Sequence, residues 1–220
     1  GALCHTIETH TLNRPPQSED KALFGTSEYI KDGLLSVYER FGRNSAADRM
    51  LSVLDTVLEH GNRSPPSGLL PAKSSEVNGN ILQACARLSS STRRPAYAAT
   101  AARLTDAAIG QMLPTNGGLP ALEFDYSTGR VINARVKLRD HGNEIIPGMV
   151  ETYALAVARQ KERQWRERAD RWVGPLAHML EQILEKGRDD NGMLANFVPP
   201  HSEPGVPDLN DNWGYVLNAV

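Results

Sequence analysis

Apolar residues recur at helical spacing through six stretches of this 220-residue chain, and polar or glycine-bearing turns separate them. In the first stretch, from about Lys21 or Ser27 to Phe41, Ile30, Leu34, Val37, Tyr38 and Phe41 share one face, and Gly42 stops the helix. Ser45 is placed to cap the second, with Asp48 three residues on. Met50, Val53, Leu54, Val57 and Leu58 give that helix one apolar stripe, and Gly61 ends it. A third helix is predicted from about Ser75 to Leu88. A fourth runs from Arg94 to Met112, with Tyr97, Leu104, Ala108 and Met112 on one side. The fifth runs from Glu144 to Gln160. The sixth ends at Lys186 and carries a wide stripe of Trp165, Trp172, Val173, Leu176, Met179, Leu180, Ile183 and Leu184. Asp211 opens a seventh. Residues 1–18, with Pro15 and Pro16, read as an incoming loop ahead of a helical domain over 19–220.

One segment, near residues 121–138, has a period of two. Leu122, Phe124 and Tyr126 alternate with Glu123 and Asp125. After Ser127-Thr128-Gly129-Arg130, Ile132, Ala134, Val136 and Leu138 alternate with Asn133, Arg135 and Lys137. This predicts a β-hairpin with one apolar face and acid-to-base pairing on the other.

The odd-numbered helices share a feature that the even ones lack. A glycine recurs near the start of each, in Lys31-Asp32-Gly33-Leu34-Leu35, Val77-Asn78-Gly79-Asn80-Ile81, Ile146-Pro147-Gly148-Met149-Val150 and Asn212-Trp213-Gly214-Tyr215-Val216. Small residues surround these glycines: Ser36 in the first, Ala84 and Ala86 in the third, Ala154, Ala156 and Ala158 in the fifth. The even helices have one apolar stripe backed by long charged residues. After each comes a glycine turn and an apolar residue or pair: Ser67-Gly68-Leu69-Leu70, Gly117-Gly118-Leu119-Pro120 and Asn191-Gly192-Met193-Leu194. Repeated units of this kind bury their faces only against their neighbours. Small-faced helices suit an inner ring and one-striped helices an outer one. The expected fold is therefore all-α: repeated helical hairpins forming part of an (α/α)6 toroid, with the β-hairpin inserted.

The turn Asp190-Asn191-Gly192-Met193-Leu194 and the lead-in Asn210-Asp211-Asn212-Trp213-Gly214-Tyr215 resemble those of the six-hairpin glycosidases. The resemblance covers most of residues 20–220, about three hairpins and the start of a fourth. It implies half of a ring, so the expectation is a domain truncated at both ends. The motifs are short and shared across the superfamily, so no catalytic residue is carried over from them.

Composition narrows the function classes. A formal net charge of −2 and a pI near 6.3 offer no global basic field for nucleic acid or a membrane surface. The arginines between Arg159 and Arg171 are offset by Glu162, Glu167 and Asp170. No apolar run approaches the ~20 residues that span a bilayer. Cys4 and Cys85 form neither a disulfide framework nor a metal motif, and the histidines have no ligand spacing, so no metal and no cofactor are expected. The compartment stays open; a secreted or periplasmic location is compatible with the sequence.

In a toroid the leading ends of the odd helices meet at one end of the ring. That would gather Glu28, Tyr29, Lys31, Asp32, Glu76, Asn78, Asn80, Asp140, His141, Asn143, Glu144, Glu151, Asp208, Asn210, Asp211, Asn212, Trp213 and Tyr215. Acids and amides bind sugar hydroxyls, and aromatic rings stack on sugar faces. Glycoside hydrolysis needs one protonated and one ionised carboxyl group. Asp32 with Asp211 is the first candidate pair, and Glu144 the third acid. Glu28, Tyr29, Asn78, Asn80, Glu151, Trp213 and Tyr215 are candidate substrate contacts on an oligo- or polysaccharide. For each acid the plain alternative is a helix cap or a first-turn charge. His141 suits instead a polysaccharide lyase, as general base opposite Tyr215 or Tyr29. The remaining alternative is a helical binding scaffold without chemistry.

Overall fold

The computed structural model describes residues 19–63, 72–92, 94–138, 142–188 and 192–198. They are mostly helical, as expected, with one small two-stranded sheet. The chain forms two compact units, Gly1–Ala72 and Lys73–Val220.

In the first unit, α1 covers residues 19–41 as three continuous stretches: α-helical Glu19–Glu28, a π-helical Tyr29–Leu35 and α-helical Ser36–Phe41. Gly42 ends it with φ +70°, its N–H bonded to the Tyr38 carbonyl at 2.7 Å. The second helix, α2 (Ser45–Arg63), starts one residue earlier in its capping than the sequence predicts. Asn44, not Ser45, supplies the cap: its Oδ1 accepts the Ala47 N–H at 2.9 Å. Asp48 turns outward to Arg43 at 2.8 Å. The helix also continues through Gly61 to Arg63. A glycine in a helix costs only about 1 kcal/mol relative to alanine, too little to end a helix whose stripe is buried. Met50, Leu54 and Val57 are fully buried there, beside Ala47 and Leu51. Gly33 is not tightly packed: a methyl group on it would meet only the Tyr29 ring, at 3.7 Å.

The second unit contains α3 (Ser75–Thr92), α4 (residues 95–115, with a π-helical Ala108–Met112), β1 (Glu123–Asp125), β2 (Arg130–Asn133), α5 (Ile145–Ala158) and α6 (Arg163–Lys186). Here two of the recurrent glycines meet. A Cβ on Gly79 of α3 would collide with the backbone of Glu144 and Ile145. One on Gly148 of α5 would stand 3.1 Å from the Gly79 carbonyl oxygen and from Leu82. The first halves of α3 and α5 thus touch backbone to backbone. Every residue of α3 from Ser75 to Ala86 is buried.

The outer helices pack around this pair. Tyr97, Leu104, Ala108 and Met112 of α4 are buried on one side, as the spacing predicts. In α6, Trp165, Trp172, Leu176, Met179 and Ile183 are buried, while Val173 stays 46% exposed at the edge of a stripe narrower than predicted. Asp106 of α4 ties the two together. Its carboxylate accepts the Trp172 indole N–H at 2.9 Å and pairs with Arg168 at 3.1 Å and Arg171 at 3.4 Å. Arg159 and Arg168 flank the Trp165 ring at 5.5 and 5.7 Å.

After each outer helix the chain turns at glycines with positive φ, Gly117 and Gly118 after α4 and Gly192 after α6. It then returns as an extended segment that pairs antiparallel with the segment leading to the preceding inner helix. Ser75 N–H bonds the Leu122 carbonyl (3.1 Å) and Phe124 N–H the Lys73 carbonyl (3.0 Å). Likewise Leu138 N–H bonds the Asn196 carbonyl (2.7 Å) and Val198 N–H the Val136 carbonyl (3.0 Å).

The hairpin forms where the period of two predicts it, with a shifted register. Phe124 faces Val131 and Asp125 faces Arg130, with an irregularity between Glu123 and Phe124. That extra residue moves Ile132 out of the apolar face, leaving it 50% exposed, while Phe124, Val136 and Leu138 are buried. Acid meets base at Asp125 and Arg130, but Glu123 lies opposite Asn133. Asp125 Oδ1 accepts the Ser127 and Thr128 amides, at 3.0 and 3.3 Å, and the Ser127 hydroxyl; Lys73 pairs with the other oxygen at 2.9 Å.

Two predictions follow from these contacts. Gly79→Ala should lower stability by about 1–3 kcal/mol, because backbone must move to admit the methyl group. Gly110→Ala, whose added methyl meets nothing within 4 Å, should leave it unchanged or raise it by up to about 1 kcal/mol; urea unfolding of both variants is the check. The Ser127 hydroxyl, then Lys73, holds the Asp125 carboxyl well below the usual carboxylate range. A depressed folded-state pKa stabilises above the unfolded value of about 3.9 and loses that contribution as pH falls through the folded value. Thermal melts should therefore show Asp125→Asn narrowing its deficit against the parent as the pH is taken below about 3.9.

Candidate functional site

The glycine contact lies beside a group of polar side chains gathered out of water. At the start of α3, the Ser74 hydroxyl accepts the Val77 N–H at 3.5 Å, and the Ser75 hydroxyl bonds the Ala121 carbonyl at 2.5 Å. Glu76, Asn78, Asn80 and Gln83 follow within two and a half turns, all buried. At the start of α5, Glu144 folds its carboxylate back onto the Gly142 N–H at 2.7 Å. Asn143 donates its side-chain amide to the Leu138 carbonyl at 2.8 Å. The two helix starts are joined by Gln83, whose Nε2 donates to the Glu144 carbonyl at 3.0 Å. That carbonyl also accepts the Gly148 N–H at 3.2 Å.

Each placement follows from a local rule. Gly79 and Gln83 are one turn apart, so both face α5. Glu144 sits at the leading end of α5, where unpaired N–H groups and the helix dipole favour a negative charge. Burial of so many polar groups is costly unless each finds a partner. Most have one, yet Asn143 Oδ1 and Asn196 Oδ1 are buried without a hydrogen-bond partner. They flank Leu138 from the two segments it bonds.

Of the residues the sequence gathers, Glu76, Asn78, Asn80, Asn143 and Glu144 fall in this cluster, with Glu144 only 2% exposed. Glu151 lies half-buried two turns further along α5. Asp32, Glu28 and Tyr29 belong to the first unit. There Asp32 is about half exposed and pairs with the buried Lys31 at 2.8 Å, and Tyr29 is 53% exposed. His141, Asp211, Trp213 and Tyr215 lie outside the described residues. Gln83 and Asn196 were not among the sequence candidates. Gln83 was legible in principle, as the residue one turn past a tight glycine; nothing in the sequence pointed to Asn196. Among the described residues no group of three or more His, Cys, Asp or Glu side chains could hold a metal ion. No described helix is long and apolar enough to cross a membrane.

The chain matches no known family model, no curated protein and no solved structure. Geometry therefore carries the functional reading alone. What the geometry offers is a water-poor pair of helix ends. It holds two buried carboxylates, Glu76 and Glu144, and the buried amides of Asn78, Asn80, Gln83 and Asn143.

The Glu144 carboxylate has a structural duty that substitution separates from its charge. Glu144→Ala should destabilise the chain by about 1–3 kcal/mol by orphaning the Gly142 N–H. Glu144→Gln keeps an acceptor in place and should cost less than half as much in the same denaturant titration.

Proposed function

We propose that this chain is a carbohydrate-active enzyme domain, a glycoside hydrolase built on helical hairpins arranged as part of an (α/α) toroid. The observation that supports it is the joining of two inner-type helix starts at Gly79 and Gly148, with acids and amides at the same end. In this reading paired carboxylates at the helix starts perform the chemistry, drawn from Asp32, Asp211 and Glu144. One protonates the leaving oxygen and the other activates water from the opposite face of the sugar. Asn78, Asn80, Glu151, Glu28, Tyr29, Trp213 and Tyr215 provide hydrogen bonds and stacking for an oligo- or polysaccharide. The lyase alternative replaces the acid pair by His141 and a tyrosine.

A second reading, a helical scaffold without chemistry, is favoured by one contact. The Glu144 carboxylate is already engaged by the Gly142 N–H, the usual role of an acid at a helix start.

A glycan panel tested on the intact protein separates the three. Hydrolysis that falls at least ~100-fold in Asp211→Asn or Glu144→Gln, as loss of a general acid or base should cause, supports the first. Products absorbing in the ultraviolet, lost in His141→Ala, indicate a lyase. Absence of cleavage across the panel leaves the scaffold.

A further inference from the structure

Against the glycine turn that follows α4, the side chains of His178, Gln182 and Lys186 on α6 close a small network. Gln182, 6% exposed, donates its Nε2 to the Gly117 carbonyl at 3.2 Å. The same nitrogen stands 3.0 Å from Nε2 of His178, one turn earlier. The Gln182 amide oxygen accepts Lys186 Nζ at 2.6 Å, one turn later. Gly118, at φ +88°, makes room for them: a Cβ there would lie 2.5 Å from Gln182 Nε2 and 3.2 Å from the His178 ring.

The inventory of donors fixes the direction of each bond. An ammonium only donates, so Lys186 holds the Gln182 oxygen on its own side. Both hydrogens of Nε2 then point to Gly117 and His178, and His178 Nε2 has to accept. An imidazole can do that only when it is neutral and carries its proton on Nδ1. In the protonated ring both nitrogens donate, which sets N–H against N–H. Flipping the Gln182 amide does not repair the network. It would turn N–H groups on the Lys186 ammonium and an oxygen on the Gly117 carbonyl.

We propose that His178 and Gln182 form a proton-sensitive latch on this turn, closed while His178 is neutral and open once it is charged. Histidine changes charge between pH 5 and 8, and His178 is exposed, so protons reach it directly. On α6 the charged residues nearest it in sequence are Glu181, Glu185 and Lys186. Arg171, two turns back, is paired with Asp106 of α4 at 3.4 Å. The turn at residues 116–119 and the π-helical part of α4 carry no charged residue. Asn116 ties the turn to the Ala134 carbonyl, beside Arg135, whose guanidinium lies over the Phe197 ring at 4.0 Å. In α5 the charged residue is Glu151, with Tyr153 as a second titratable group. Exposed carboxylates, lysine and arginine keep their charge across that pH range, which leaves histidine as the group that changes.

The latched segment leads to the start of α3. Past Gly118 the chain reaches Ala121 and Leu122, whose carbonyls take the Ser75 hydroxyl at 2.5 Å and the Ser75 N–H at 3.1 Å. Opening the latch loosens the strand that lies beside the buried polar group. The inference rests on hydrogen-bond direction and is independent of the proposed sugar chemistry.

Hydrogen exchange on the full chain, corrected for the intrinsic effect of pH on amide exchange, tests it. The amides of Asn116, Gly118 and Leu122 are all hydrogen-bonded. They should exchange about 3- to 10-fold faster at pH 5 than at pH 8, as the net loss of one hydrogen bond implies. His178→Gln keeps an acceptor that does not titrate, and should show the slow rate at both pH values. His178→Lys supplies a permanent cation, and should show the fast rate at both. Exchange in the parent that is the same at both pH values, or a difference that survives in His178→Gln, overturns the proposal. Nitrogen NMR of the parent is a second measurement that needs no variant: the neutral ring should carry its proton on Nδ1, and a proton on Nε2 overturns the latch.

Discussion

A backbone contact between two glycine-bearing helices organises the larger unit of this protein. Where α3 passes α5, Gly79 lies so close to Glu144 and Ile145 that no side chain fits. Gly148 answers from the other helix, facing the Gly79 carbonyl and Leu82. Close approach of this kind increases the number of van der Waals contacts along the crossing, each small and together large. It also fixes which ends of the helices meet. Gln83, one turn beyond Gly79, can then reach the Glu144 carbonyl.

The same contact explains why polar residues collect there. Two helix starts brought side by side expose N–H groups that lack partners inside their own helices. Ser74 meets one such need at Val77, while Glu144 holds the Gly142 N–H just ahead of α5. The result is a cluster that is structural in most of its bonds and yet includes more buried carboxylate and amide than capping requires. Buried polar groups of this density are expensive unless satisfied. Functional chemistry at helix starts would draw on the same features that hold the helices in place.

Around this centre the outer helices act as a clasp. Asp106 gathers Trp172, Arg168 and Arg171 at one point, so α4 and α6 are held by direction-specific bonds as well as apolar stripes. Each outer helix hands the chain to an extended return segment, and both segments are tied to the approach of an inner helix.

The sequence by itself determined the helices, their apolar stripes and the hairpin, because these depend on local periodicity that burial then rewards. It also marked Gly79 and Gly148 as unusual, since a small residue inside a helix has few other uses. It did not determine the cap at Asn44, the passage of α2 through Gly61, or the exposure of Ile132 and Val173. Those outcomes turn on differences of about one kcal/mol or on a single-residue register slip, which neighbours decide. Nor could it show that Gly33 has only the Tyr29 ring beside it while Gly79 is pressed against another backbone, although both sit in the same motif. Only tertiary packing separates them, because a glycine's role is set by what approaches it from elsewhere in the chain.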